Sequence, residues 1–191
     1  MIARLTGLAL LALLWLSPLP ALAAGSIVLH MVLHLAIIAV VPALLAPRLP
    51  VTVTPVFLAA AVALEMLVVW GWHSPAAHLW ARLSPEGLVL EQGSFLLAGL
   101  LLWSAARSAG PYAGAAVMLA TVMHMTLLGA IIGLAPRLVY GDICAEYLGL
   151  DALEEQQVAG ALMALGGGCF FLMAALLRLA PALRARDEAR A

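Results

Sequence analysis

Five stretches of nearly unbroken apolar sequence, each close to the ~20 residues an α-helix needs to cross a bilayer, constrain this chain more than any other feature. They fall near 26–46, 52–72, 87–104, 112–134 and 157–180, the third being the shortest. Residues with charge make up 10% of the chain and hydrophobic residues 65%. Soluble domains carry about 25% charged residues, so this chain lacks the polar groups to cover a water-facing surface. The pattern predicts an all-α fold, an integral membrane helical bundle.

The formal net charge is -1 and no basic stripe occurs, which gives no footing for nucleic acid. All nine basic residues are arginine, a composition expected of a bacterial chain. Cys144 and Cys169 are too few for a disulfide framework.

The chain begins MIARLTGLALLALLWLSPLPALAA. One arginine, a short apolar run, a Pro-rich break and then Ala21-Leu22-Ala23 have the form of a secretory signal cleaved after Ala23. The alternative for residues 1–23 is an uncleaved first transmembrane helix. Residues 24–181 then form the bundle, with five mature spans or six if the first segment stays. Residues 182–191 form a cytoplasmic tail. With Gly25 outside, Arg48, Arg107, Arg178, Arg184, Arg186 and Arg190 fall in the cytoplasm, and only Arg82 and Arg137 fall outside. That asymmetry obeys the positive-inside rule, and it fits a bacterial inner membrane. An uncleaved first helix that starts inside gives the same orientation.

On this topology the ionisable residues crowd one leaflet. His30 and His34 lie in the outer half of the first span, four residues apart and so on one helical face. His73 ends the second span, Glu91 lies one turn inside the third, and His124 lies near mid-depth in the fourth between Met123 and Met125. Glu154, Glu155, Gln156 and Gln157 open the fifth. Glu65, mid-span in the second helix, is the exception. Ionisable groups in hydrocarbon are costly and mark functional sites. His78, in the connection after the second span, reads as a solvated loop residue. The acidic loop 138–156, with Cys144 in it, is expected outside as a partner surface or a solvated loop.

Imidazole, thioether and one carboxylate form a copper-like ligand set, and thioether selects Cu(I). The candidate metal ligands are therefore His30, His34, His73, Glu91 and His124, with Met31 and Met125. Their shared leaflet predicts that His30, His34, Glu91 and His124 converge. Two histidines on separate helices could instead hold a haem. The zinc-protease pattern needs Glu directly after the first histidine, and Met31 stands there.

Five segments in order resemble one family. They are HMVLHLAIIAVVP from His30, WGWHSP from Trp70, EQGSFLLAG from Glu91, HMTLLGAIIGLAPRLVY from His124 and EQQVAG from Glu155. They are similar to the motifs of the polytopic CtaG-type cytochrome c oxidase assembly factors. Leu33, Gln92 and Glu155 stand where that pattern has Gln, His and Asp. The resemblance implies a non-enzymatic role in maturing a haem-copper oxidase near its copper centre. It also implies an oxidase subunit or other assembly factors as partners, besides membrane lipid. A bis-His membrane cytochrome and a copper permease remain as the alternatives.

Overall fold

The computed structural model describes residues 1–141 and 149–189. Asp142, Cys144, Glu146 and Arg190 lie outside the described residues. The helices are α1 (Ile2–Leu16), α2 (Leu19–Gly25), α3 (Ile27–Leu45), α4 (Pro55–Trp72), α5 (Pro75–Leu83), α6 (Pro85–Ser108), α7 (Pro111–Gly133) and α8 (Ala152–Glu188). Five of them, α3, α4, α6, α7 and α8, are long and apolar enough to cross a membrane, and no strand occurs among the described residues. The chain is an all-helical, multi-pass membrane protein. Together α1 and α2 reach the length of a sixth span, bent by 54° where they meet.

Short polar-proline signals start the helices. Pro55, Pro75, Pro85 and Pro111 occupy first-turn positions, where a missing N–H costs nothing. Thr54 and Ser84 side chains accept from the N–H groups of Phe57 and Gly87 at 3.2 and 2.9 Å. The Ser84 cap moves the start of α6 forward to Pro85. At 24 residues it exceeds α3 and α4, so the third span is not the shortest.

Helix α3 passes through a wide turn at Ala36–Val40, just before Pro42. Proline has no N–H for the carbonyl one turn back, which here belongs to Ile38. Gly99 of α6 packs on that freed carbonyl, and a Cβ there would meet Pro42 Cγ at 2.7 Å. The second glycine of the EQGSFLLAG segment therefore sets how closely α6 approaches α3. Helices α7 and α8 meet through glycine as well. A Cβ at Gly129 would lie 2.6 Å from the Ala164 nitrogen and 2.7 Å from the Gly160 carbonyl oxygen. This is the close small-residue packing that its spacing to Gly133 predicts.

The EQQVAG segment ties the start of α8 to its neighbours. Ser26 donates to Glu155 at 3.0 Å, and Gln156 accepts from Val139 N–H at 2.7 Å while its amide reaches the Ile132 and Arg137 carbonyls at 3.2 Å. These bonds bring the chain after α7 back over the first turn of α3.

The stretch after α4 is not an open loop. It folds as α5, which turns its polar side inward. His78 and Ala81 are buried, whereas Leu79, Trp80 and Leu83 are exposed. In water that arrangement would be inverted; beside lipid it is the expected one. The reading of His78 as a solvated residue is corrected accordingly. Arg82 likewise leaves the water in which the topology placed it, with its side chain 3% exposed.

Candidate functional site

Four histidines meet at one end of the bundle. His30 and His34 project from the first half of α3, His73 follows the last residue of α4, and His78 lies on α5. The His30 ring centroid is 6.2 Å from that of His34, 6.0 Å from His73 and 5.0 Å from His78, and His34 lies 5.1 Å from His73. All four are buried. Phe95 of α6 closes the floor, its ring 4.2 Å from His34. Tyr140, beyond α7, closes the top. Its ring lies 4.1 Å from His78 and its hydroxyl donates to the His73 carbonyl at 3.1 Å.

A charged pair borders the cluster. Arg82 donates to Glu91 and also, through Nη1, to His30 Nδ1 at 2.7 Å and the Ala23 carbonyl at 3.3 Å. Gln92 donates to the same Glu91 oxygen at 2.9 Å. The guanidinium and carboxylate cancel, so the cluster adds no net charge to a costly environment.

Several buried side-chain nitrogens and one carboxyl oxygen of this cluster have no hydrogen-bond partner among the described residues. They are His30 Nε2, both ring nitrogens of His34, His73 Nε2, His78 Nδ1 and Glu91 Oε1. A buried polar atom without a partner costs about 1–3 kcal/mol, so a concentration of them in one place calls for a ligand. His73 shows the pre-set tautomer of a metal ligand. Its Nδ1–H donates to the Val69 carbonyl at 2.7 Å, leaving the Nε2 lone pair facing the cluster. Nitrogens held about 2 Å from one ion place ring centroids on the order of 5–6 Å apart, close to the spacing of His30 from each of the other three rings and of His34 from His73. His30, His78 and Glu91 place ligand atoms within 4.8 Å of one another.

The His73 and His78 rings are neutral at ordinary pH. Burial, then the Arg82 charge and that of His73, push the His78 pKa down to about 3. Burial pushes His73 down to about 4; the Val69 bond opposes that shift and the Arg82 charge adds to it.

Of the residues the sequence singled out, His30, His34, His73 and Glu91 come together. His124 does not join them. Its Nε2 pairs with Glu65 Oε2 at 2.7 Å, between α7 and α4. The expected convergence therefore holds for three of its four members. Met31 and Met125 are fully buried and belong to the apolar core. His78 and Arg82 also belong to the cluster, and neither is among the residues expected there from the sequence. Their four-residue spacing after Ser74-Pro75 is the helical signal that would have found them.

The model of the cytochrome c oxidase caa3 assembly factor family matches residues 55–185, well over half the chain. The chain belongs to this family. The matched region carries His73, His78, Arg82, Glu91 and His124; His30 and His34 precede it. No curated protein and no solved structure matches the chain. Membership identifies this protein as an oxidase assembly factor and links it to the oxidase or its assembly machinery.

Proposed function

We propose that this assembly factor binds copper as Cu(I) at the four-histidine cluster and delivers it to a haem-copper oxidase subunit. The observation that carries the reading is the set of partnerless, neutral imidazole nitrogens gathered from α3, α4 and α5 at one end of the bundle. Imidazole suits copper, and a site of neutral rings beside a cancelled ion pair favours a cation of low charge. The arginine asymmetry supports an outer-leaflet position for this end in a bacterial inner membrane. His34 and His73 bind first, and His30 joins them, bringing its neighbour His78, when Arg82 releases it. Glu91 holds Arg82 in place, and Tyr140 and Phe95 exclude water and lipid.

The deciding experiment is metal analysis of the purified full chain, with Cu(I) affinity from competition against a chromophoric chelator. One copper per chain, lost in His73→Ala and His34→Ala, is the expected result. A Soret band from co-purified haem would select the bis-His cytochrome, and copper uptake into liposomes would select the permease. A chain that binds no copper overturns the proposal.

A further inference from the structure

The end of the bundle away from the histidines carries a second charge cluster, this one positive and without a carboxylate among the described residues. Glu91 and Arg107 stand sixteen residues apart on α6, which is ~24 Å along a helix. Arg107 lies between α3 and α8 and donates to the carbonyls of Ala46, at 2.6 Å, and Ala43. Arg178 of α8 donates to the carbonyls of Ala106 and, at 3.3 Å, Ala109. Each guanidinium thus sits on the C-terminal carbonyls of a neighbouring helix, α3 for Arg107 and α6 for Arg178. Trp103 stacks under the Arg107 charge, 6.0 Å from its ring centre. Gly114 at the start of α7 leaves the slot that Arg178 fills, since a Cβ there would collide with the guanidinium.

Among the described residues no carboxylate pairs with either arginine. Arg4 and Arg48 lie near enough to act on Arg107, and Arg48 and Arg107 act on Arg178. The ion pairs among the described residues involve only Arg82, His30 and His124, so none reaches this cluster. The acids nearest along α8, Asp187 and Glu188, begin nine residues past Arg178, ~14 Å along a helix. Arg178 Nε is buried and has no partner. Between the two arginines runs a groove whose remaining walls are apolar, with Phe170, Met173 and Leu177 along one side. Met173 and Leu177 are exposed at 57% and 66%.

We propose that this groove binds an anionic phospholipid. Its phosphate lies between Arg107 and Arg178, and an acyl chain runs along Phe170, Met173 and Leu177. Guanidinium N–H groups in a fixed fork match phosphate oxygens, and their carbonyl bonds already hold them in place. Basic pockets between transmembrane helices recognise anionic headgroups in this way. The apolar wall commits the site to lipid over a free anion. This inference does not depend on copper.

The test uses the full chain in nanodiscs of equal phosphatidylglycerol and phosphatidylcholine, with retained lipid read by native mass spectrometry. Two arginines predict a preference for phosphatidylglycerol of about thirtyfold. Arg107→Gln with Arg178→Gln should abolish it. Arg107→Lys with Arg178→Lys, which keeps the charge but loses the fork, should keep a weaker preference; it decides the matter if the glutamine pair does not fold. Gly114→Ala should weaken retention by displacing Arg178. Equal retention of the two lipids by the unaltered protein would overturn the proposal. So would an undiminished preference in the folded glutamine pair or, if that pair does not fold, in the lysine pair. Displacement of the lipid by millimolar inorganic phosphate would reduce the site to one for free anions.

Discussion

Arg82 donates through Nη1 to His30 Nδ1 at 2.7 Å, and this bond decides where the His30 proton sits. Arginine has only donors, so Nδ1 supplies the lone pair and Nε2 carries the hydrogen in the neutral ring. His30 therefore has no free lone pair while Arg82 holds it. The guanidinium behaves as a tethered cation in the site, and a metal ion reaches His30 only by displacing it.

Arg82→Gln is therefore expected to tighten Cu(I) binding. A hydrogen bond to a charged group contributes roughly 1.5–3 kcal/mol, so losing the competitor corresponds to about ten- to hundredfold in affinity. Without copper the same variant should be less stable, because Glu91 would be left as a buried unpaired carboxylate at a cost of roughly 3–5 kcal/mol. Thermal unfolding with and without Cu(I), beside chelator competition, separates the two effects. Unchanged or weaker copper affinity in a folded Arg82→Gln protein would reject the competitor role.

The histidines also set a pH dependence. The pKa of His73 is down to about 4 and that of His78 to about 3, whereas an unfolded histidine titrates near 6.5. Between those values the unfolded chain takes up protons that the folded chain refuses. Stability is thus fully present above pH 6.5 and falls as the pH drops below it. At pH 5 the loss is on the order of 2 kcal/mol for each ring. Melting temperature in detergent, followed from pH 7.5 to 5, should fall, and His78→Asn should flatten the slope. A flat wild-type profile would contradict the burial argument.

Glu65 and His124 form a separate structural pair. Their 2.7 Å bond joins α4 to α7, and Glu65 is fully buried. His124→Ala leaves that carboxylate without a partner and should lower folded yield, at a cost of roughly 3–5 kcal/mol. Glu65→Gln added to it should restore part of the loss, since the charge is then gone. Copper bound per folded molecule should not change in either. Copper lost in the folded protein of either variant would return His124 to the metal site.

Much of this arrangement was legible in the residues. The spans follow from apolar length alone, and the four-residue spacing of His30 and His34 places both rings on one face of α3. Glu91 met His30 because both lie near the same end of their helices. His124 was misplaced for a different reason: depth in the bilayer follows from position along the chain, but partner choice depends on how each helix is rotated in the bundle. Glu65 and His124 share a depth, and the rotation of α4 and α7 turns them to each other. His78 and Arg82 were missed because α5 is short and inverted. Its apolar residues face away from the protein, so a reading tuned to polar-outward helices takes it for a loop.

His34 provides the sharpest separation of function from folding. Its ring is fully buried beside Phe95, and neither nitrogen has a hydrogen-bond partner. A histidine kept for structure would use at least one of them. His34→Leu removes two unsatisfied polar atoms and keeps most of the volume, so the copper-free protein should become more stable, by about 1–3 kcal/mol. Insertion should be undisturbed, because the substitution makes α3 more apolar. Copper affinity should fall sharply, since leucine offers no lone pair and the remaining rings are few. Stability and metal binding then move in opposite directions, the signature of a residue that serves a ligand at the expense of the fold. The comparison needs membrane level, melting temperature and copper content from the same preparations. A less stable His34→Leu protein that still binds copper would make His34 a packing residue and leave His30, His73 and His78 to carry the site.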